Sequence, residues 1–257
     1  MLRFKNLGSG SSGNSTLIEL TGPRPVRVLV DCGLGLKHLL HRLALAEVQP
    51  EEITAVFITH EHADHIGCAR ALALRYRIPV WMSRGTHAAL EWPNFDGLLQ
   101  IASDDQAIDL GGLRLMPFTV PHDAREPLQL SCTDGSRKLG ILTDLGHATA
   151  HVLAHLEGCN ALMLECNHDS AMLSQSSYPT FLKHRVGGLY GHLSNTAAAE
   201  IALKVLHQGL KHIVAAHLSE QNNCPNLVRS VLAEALSWSP DDIAIAKPGG
   251  DTHWLTV

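Results

Sequence analysis

Ile53-Thr-Ala-Val-Phe-Ile-Thr59 runs without interruption into His60-Glu61-His62-Ala63-Asp64-His65, and a helix-forming stretch begins directly after it. Residues 53–59 are apolar or β-branched throughout, which is the pattern of a buried strand. The cluster therefore stands at the carboxyl end of a strand, where open α/β sheets hold their ligands and a loop can turn several side chains inward. His60 and His62 can share one ion. Asp64 and His65 are adjacent, so they diverge from that pair and reach a second ion nearby. The plainer alternative is a solvated His-rich loop, or an N-cap at Asp64 with exposed histidines beside it. The strand–loop–helix context favours ligands.

Donors of the same kind recur where other apolar runs end. His122 follows residues 113–120, Asp144 follows 139–143 and His217 follows 213–216. Singly, a histidine after a strand is an ordinary surface group; together with the cluster these three complete a dinuclear set. A carboxylate such as Asp144 can also bridge two cations, which a neutral imidazole cannot do. Further strand patterns at 26–30, 79–82 and 161–164, with Ala and Leu at helical spacing over 67–75 and 196–208, give an α/β or α+β class. No linker-like shift in composition divides the chain, so residues 1–257 are expected to form a single domain. The Gly8-Ser9-Gly10-Ser11-Ser12-Gly13-Asn14-Ser15 stretch lies between apolar segments and predicts a tight hairpin connection. A phosphate cradle is the weaker reading, because no G-K-[ST] follows.

Composition narrows the function classes. The 17 histidines stand against 20 Lys plus Arg, and imidazole is the commonest metal ligand. A formal charge of -5 argues against wholesale non-specific affinity for nucleic acid, which comes from many Lys and Arg contacts to phosphate. A local basic groove stays open as a reading. No apolar stretch approaches the roughly 20 residues that cross a bilayer, and the amino terminus lacks signal-peptide features, so a cytoplasmic protein with no membrane partner is expected. The six cysteines contain no C-x-x-C pair and are expected to be free, buried thiols.

The order Asp31, His60-x-His62-x-Asp64-His65, His122, Asp144 and a late histidine resembles the metallo-β-lactamase superfamily along nearly the whole chain. Four segments are similar to its YycJ/WalJ-type subgroup: Leu7-Gly-Ser-Gly-Ser-Ser-Gly-Asn14, Leu164-Glu-Cys-Asn-His-Asp169, Gly191-His-Leu-Ser-Asn195 and Ala216-His-Leu-Ser-Glu-Gln-Asn-Asn223. The resemblance implies a four-layer αββα sandwich with the metals at one edge between the sheets. It also implies a DNA exonuclease working from the 5′ end. By the same resemblance, His60, His62 and His122 hold one metal, Asp64, His65 and His217 hold the other, and Asp144 bridges them. Asp31 orients the ligand loop without ligating. Gly191-His192-Leu-Ser and Ala216-His217-Leu-Ser share one local form, so either histidine fits the last ligand position. The similarity to tRNase Z enzymes makes His217 the ligand, and His192 with Glu165 the pair that steers a proton to the leaving oxygen. His168 lines the same pocket or makes a structural hydrogen bond.

Two cations roughly 3.5 to 4 Å apart would hold a bridging hydroxide as nucleophile, oriented by Asp64. Zinc is the natural guess for a His-rich set, with manganese or iron also acceptable. His62 stands where the diiron flavoprotein branch of the fold has Glu, which weakens a redox reading. Lys183 and Arg185, in the stretch 181–190, are candidates to contact a nucleic-acid backbone, with Asn14 as a further substrate-binding candidate; a solvated basic turn accounts for 181–190 equally well. The competing functions are a small-molecule hydrolase (a cyclic phosphodiesterase or a glyoxalase II-like thioesterase) and a non-catalytic metal-binding partner. The last is disfavoured because structural zinc sites are normally closed, four-coordinate sites.

Overall fold

The computed structural model describes residues 1–251 and 253–257. In chain order the strands of the first half are β1 (Leu2–Gly8), β2 (Ser15–Leu20), β3 (Val26–Val30), β4 (Ala55–Phe57), β5 (Val80–Met82) and β6 (Leu99–Ile101). There follow β7 (Ile108–Leu110), β8 (Leu113–Thr119), β9 (Leu128–Thr133), β10 (Lys138–Leu142), β11 (Ala161–Glu165), β12 (His212–Ala216), β13 (Ile243–Ile245) and β14 (Leu255–Thr256). Among the described residues these form two seven-stranded sheets, ordered β14-β1-β2-β3-β4-β5-β6 and β13-β12-β11-β10-β9-β8-β7. Each sheet is antiparallel where hairpins connect its strands and parallel where helices do. Parallel neighbours need a crossover. It is supplied by α1 (Leu36–Leu45), α2 (Ala63–Ile66), α3 (Ala69–Tyr76) and α4 (Arg84–Ala89) in the first half. In the second half it is supplied by α5 (Ala150–Leu156), α6 (Ser170–Gln175), α7 (Thr180–Val186), α8 (Asn195–Lys204) and α9 (Pro225–Leu236).

Strand periodicity of two sorts the side chains into layers. On β3, Val26, Val28 and Val30 enter the core between the sheets, and Leu29 enters the core on the opposite face. On β12, Val214 and Ala216 enter the shared core while Ile213 and Ala215 face α8 and α9. Leu39 and Leu43 of α1 and Leu72 of α3 close the outside of the first sheet. Val152, Ile201, Val228 and Leu232 close the outside of the second. The result is helix, sheet, sheet, helix, the expected αββα sandwich.

The elements depart from the sequence reading mainly at their ends. Residues 53–59 pair as a strand only over Ala55–Phe57. Beyond Phe57 the chain leaves its sheet: Ile58 N–H still donates to Trp81 O, but Thr59 O accepts from Leu128 N–H of the other sheet at 2.9 Å. The helix expected over 67–75 spans Ala69–Tyr76, and a one-turn helix before it, α2, carries Asp64 and His65. The Gly/Ser stretch does connect the antiparallel hairpin β1–β2. Residues 181–190 are not a basic turn, since α7 takes them through Val186; no proline or N-cap competitor interrupts Thr180 to Val186. Of the six unpaired cysteines, Cys32, Cys132, Cys159 and Cys166 are buried as expected, whereas Cys68 and Cys224 are only partly so. Among the described residues no helix is long and apolar enough to cross a membrane.

Candidate metal centre

Three residues that end strands in the left-handed backbone region carry the centre from different directions: Asp31 (φ +63°) after β3, Asp144 (φ +55°) after β10 and His217 (φ +54°) after β12. Aspartate tolerates this conformation, whereas for most other side chains it costs of order 1 kcal/mol and persists where surrounding structure holds it. The bends turn all three side chains toward the His60–His65 loop. That loop lies against Gly33 so closely that a methyl group there would overlap the Asp64 carbonyl, and only glycine permits the approach.

Three of the imidazoles, His65, His122 and His60, are held by one nitrogen, which leaves the other free to ligate. His65 Nδ1–H donates to Asp31 Oδ2 at 2.7 Å, and its Nε2 lies 3.0 Å from Asp144 Oδ2 and 3.6 Å from Asp64 Oδ2. Asp31 in turn accepts from the backbone N–H and the hydroxyl of Thr59. His122 Nδ1–H donates to the Gly191 carbonyl at 3.1 Å, leaving Nε2 3.3 Å from His62 Nδ1. His60 Nδ1 rests on the Thr59 hydroxyl at 3.0 Å. A carboxylate or carbonyl behind an imidazole fixes its tautomer and raises its basicity as a ligand.

Donor atoms of His60, His62 and His122 lie within 4.8 Å of one another, as do those of Asp64, His65 and His217, and those of His60, His65 and Asp144. Asp144 Oδ1 is 2.9 Å from His217 Nδ1. Among the described residues, buried His60 Nε2 and Asp144 Oδ2 have no hydrogen-bond partner, the latter despite its short distance to His65. Buried polar atoms are rarely left so. Imidazole nitrogens and carboxylates aimed at a common space, with two of them orphaned, fit divalent cations. Asp144, Glu165, His192 and His217 also group within that limit, and a separate group, Asp105, His151 and His155, is otherwise satisfied: His151 Nε2 pairs with Asp104 and His155 Nε2 with Asp105, each at 2.9 Å.

Protons stand in the centre when cations do not. Burial opposes protonation of His65, yet Asp144 and Asp31 outweigh it and push the imidazole up to about 10. Burial likewise opposes protonation of His217, and Asp144, Asp64 and Glu165 raise it well above the ordinary range. His60 goes the other way, held low by burial and then by His65. A ligand must be deprotonated to bind metal, so a proton on His65 competes with cations below about pH 10, and one on His217, also raised, competes with them too. Titrating metal-stripped protein with zinc near neutrality should therefore release about two protons per chain, and the apparent affinity should weaken as pH falls. Calorimetry in buffers of different ionisation heats measures the release. Binding without proton release contradicts this account.

The remaining sequence candidates divide. His192 Nδ1–H donates to Glu165 Oε1 at 2.8 Å, and Glu165 also accepts from the backbone N–H groups of Leu145 and Leu193. Burial opposes ionisation of Glu165, but His192 and His217 hold its carboxyl down at about 2. His192 is 23% exposed on its side chain and lines a cavity of about 350 Å³ with His62, Asp64, Asp144, Arg185 and His217, while His217 is 4% exposed. His168 is buried, and its ring does not line that cavity. Arg185 reaches the cavity wall, paired with Asp123 at 2.6 Å. Lys183 Nζ donates to the Ser174 carbonyl, and the residue does not line the cavity, toward which α7 directs positions 182, 185 and 186. Asn14 is buried, its Oδ1 accepts from Gly10 N–H, and its amide donates to the carbonyl and the carboxylate of Asp64, so it also positions the ligand loop. Thr59 and Asn167 were missed. Thr59 adjoins the cluster in sequence but looks like any strand residue, and Asn167, which donates to the His217 carbonyl, sits in the quoted Leu164–Asp169 segment.

A family profile described as a β-lactamase superfamily domain matches residues 26–217, a span holding Asp31 and every candidate donor through His217. The chain belongs to the β-lactamase superfamily. Within it, the chain is 33% identical over 240 residues to exodeoxyribonuclease YycJ of Bacillus anthracis, covering 91% of this chain and 89% of that protein. It is 31% identical over 240 residues to exodeoxyribonuclease WalJ of Streptococcus pneumoniae serotype 2, with 91% and 88% covered. The metallo-β-lactamase fold protein YhfI from Bacillus subtilis superposes with a TM-score of 0.76 over 100% of both chains at 18% identity, a likeness of fold. This superfamily member is a metal-dependent hydrolase, and the relatives it matches are nucleases by name.

Proposed function

We propose that the protein is a two-cation phosphodiesterase that degrades DNA from an end, with the 5′ end as the starting point. One observation carries the reading: Asp144 lies within reach of His60 and His65 on one side and of His217, His192 and Glu165 on the other, and His192, bonded to Glu165, lines the same cavity as Asp64, Asp144 and His217. The names of relatives sharing 33% and 31% of their residues support DNA as substrate. In this reading His60, His62 and His122 hold one cation, Asp64, His65 and His217 the other, and Asp144 touches both. Zinc suits such a donor set, and manganese or iron would be accepted. When bound, the cations supply an acidified water and neutralise charge on the phosphate.

The chain's own residues do the rest. Asp64, a quarter exposed and held by Asn14, orients the attacking water. Glu165 fixes the His192 ring through Nδ1, leaving Nε2 on the cavity side. Burial works against a charged His192, but the Glu165 carboxylate outweighs it and raises the imidazole, which favours the protonated ring. That proton passes to the departing alkoxide oxygen, a contribution of about 10²- to 10⁴-fold. Asp31 and Thr59 keep His65 in the tautomer that ligates. We read both sheets as one domain, since the middle core draws side chains from each, and a cytoplasmic site of action follows from DNA as substrate.

The test uses metal-loaded protein with DNA labelled at either end, single- and double-stranded, alongside bis-p-nitrophenyl phosphate and a thioester. Stepwise shortening of DNA from the 5′ end and slower turnover of the diester are expected. Hydrolysis of the thioester alone would overturn the reading in favour of a glyoxalase II-like enzyme.

A further inference from the structure

The three most exposed large hydrophobic side chains among the described residues lie within ten positions of one another. They are Phe181 (73%), Leu189 (68%) and Tyr190 (62%). The same segment walls the catalytic cavity through Leu182, Arg185, Val186, Gly191 and His192. Phe181 precedes Arg185 by four residues on α7, so the two share one helix face.

The segment is not loose. After α7 the chain folds back on itself, with His192 N–H donating to Val186 O at 2.8 Å and Gly191 N–H to Gly188 O at 3.0 Å. The Leu189 carbonyl accepts from His147 Nδ1–H at 2.9 Å, and the Gly191 carbonyl from His122. A bonded backbone thus holds apolar side chains out in water, which singly would mean little but gathered in one ten-residue segment whose other residues wall the cavity marks a binding surface. Its charge indicates the occupant. Residues 179–192 contain Lys183, His184 and Arg185 and no acidic residue, in a chain of net charge -5, with Arg185 paired to Asp123 from outside the segment and Lys183 donating to the Ser174 carbonyl. Aromatic faces interleaved with cations, local to one strip of an acidic protein, match a polyanion with flat apolar bases.

We propose that Phe181 and Tyr190 are a stacking platform for unpaired bases of a DNA end as it enters the cavity. This rests on the nuclease reading above. The platform grips bases rather than phosphates, and it acts on any sequence because every base has a π-face.

The experiment compares the wild-type enzyme with Phe181→Ala, Tyr190→Ala and the double variant. The substrates are a single-stranded oligonucleotide, the same oligonucleotide with abasic residues at its terminal positions, and bis-p-nitrophenyl phosphate as the measure of an intact centre. Each single variant should lower the ratio of kcat/KM on DNA to that on the diester by about tenfold, through KM rather than kcat. On the abasic oligonucleotide wild type and variants should converge, which a merely structural role would not produce. If wild type degrades DNA and the variants keep its KM, the platform is wrong and the patch serves another partner, such as a protein. If the loss persists on the abasic substrate, base stacking is likewise wrong. If wild type turns over the diester but no DNA, the nuclease reading itself falls and the platform with it.

Discussion

Asp144→Asn should yield a folded protein that holds at most one cation and turns over bis-p-nitrophenyl phosphate about 10⁴-fold more slowly, or not measurably. Asparagine is the informative replacement. Asp144 sits at φ +55°, a conformation that Asn adopts readily and Ala does not, so the backbone bend survives and only the charge is removed. The carboxylate is fully enclosed, 2.9 Å from His217 and 3.0 Å from His65, and it belongs to donor groups on both sides of the centre. Burial opposes its ionisation, yet the His217 and His65 imidazoles keep it well below the usual carboxylate range. Without that negative charge, His65 and His217 lose the group that makes them basic, and two cations would repel across a neutral amide. Metal content by mass spectrometry and diester kinetics read the outcome. A variant with two cations and less than a tenfold loss would remove Asp144 from the bridging position.

His192→Ala should separate metal binding from turnover. His192 shares Glu165 with His217, but the two imidazoles differ in setting: His217 is enclosed and lies 3.5 Å from Asp64, whereas His192 faces the cavity. The expected variant keeps the wild-type metal content and loses about 10²- to 10⁴-fold in kcat. A substrate whose leaving group needs no proton, such as a p-nitrophenyl ester, should suffer less than DNA, because a stable phenolate departs unaided. His217→Ala should instead lose one metal equivalent. Loss of a cation from His192→Ala, with retention in His217→Ala, would exchange the two assignments.

Much of this centre was legible because its donors follow strands. Residues 53–59, 113–120, 139–143 and 213–216 are apolar enough to read as strands, and the polar residue that ends each run is conspicuous. β9 shows the opposite case. Leu128–Thr133 carries Gln129 and Ser131, both buried, so its polarity hides a strand enclosed on two faces. Lys183 and Asn14 were legible only by residue type. Residue type suggests what a side chain can bind, but Lys183 donates to a carbonyl of its own fold and Asn14 to the ligand loop.

By itself the sequence determined an α/β class and candidate donors, because strand periodicity and the position of polar residues after apolar runs are local properties of the chain; the four-layer sandwich and the sharing of seven ligands between two metals were what its resemblance to the metallo-β-lactamase superfamily implied. Tertiary structure alone decided which nitrogen of His65 and of His122 faces inward, which of the two similar His-Leu-Ser motifs carries the more enclosed histidine, and that Phe181 and Tyr190 stand in water. Those properties depend on groups brought together from distant strands, such as Asp31 behind His65 and Gly191 behind His122, and no local pattern encodes the pairing.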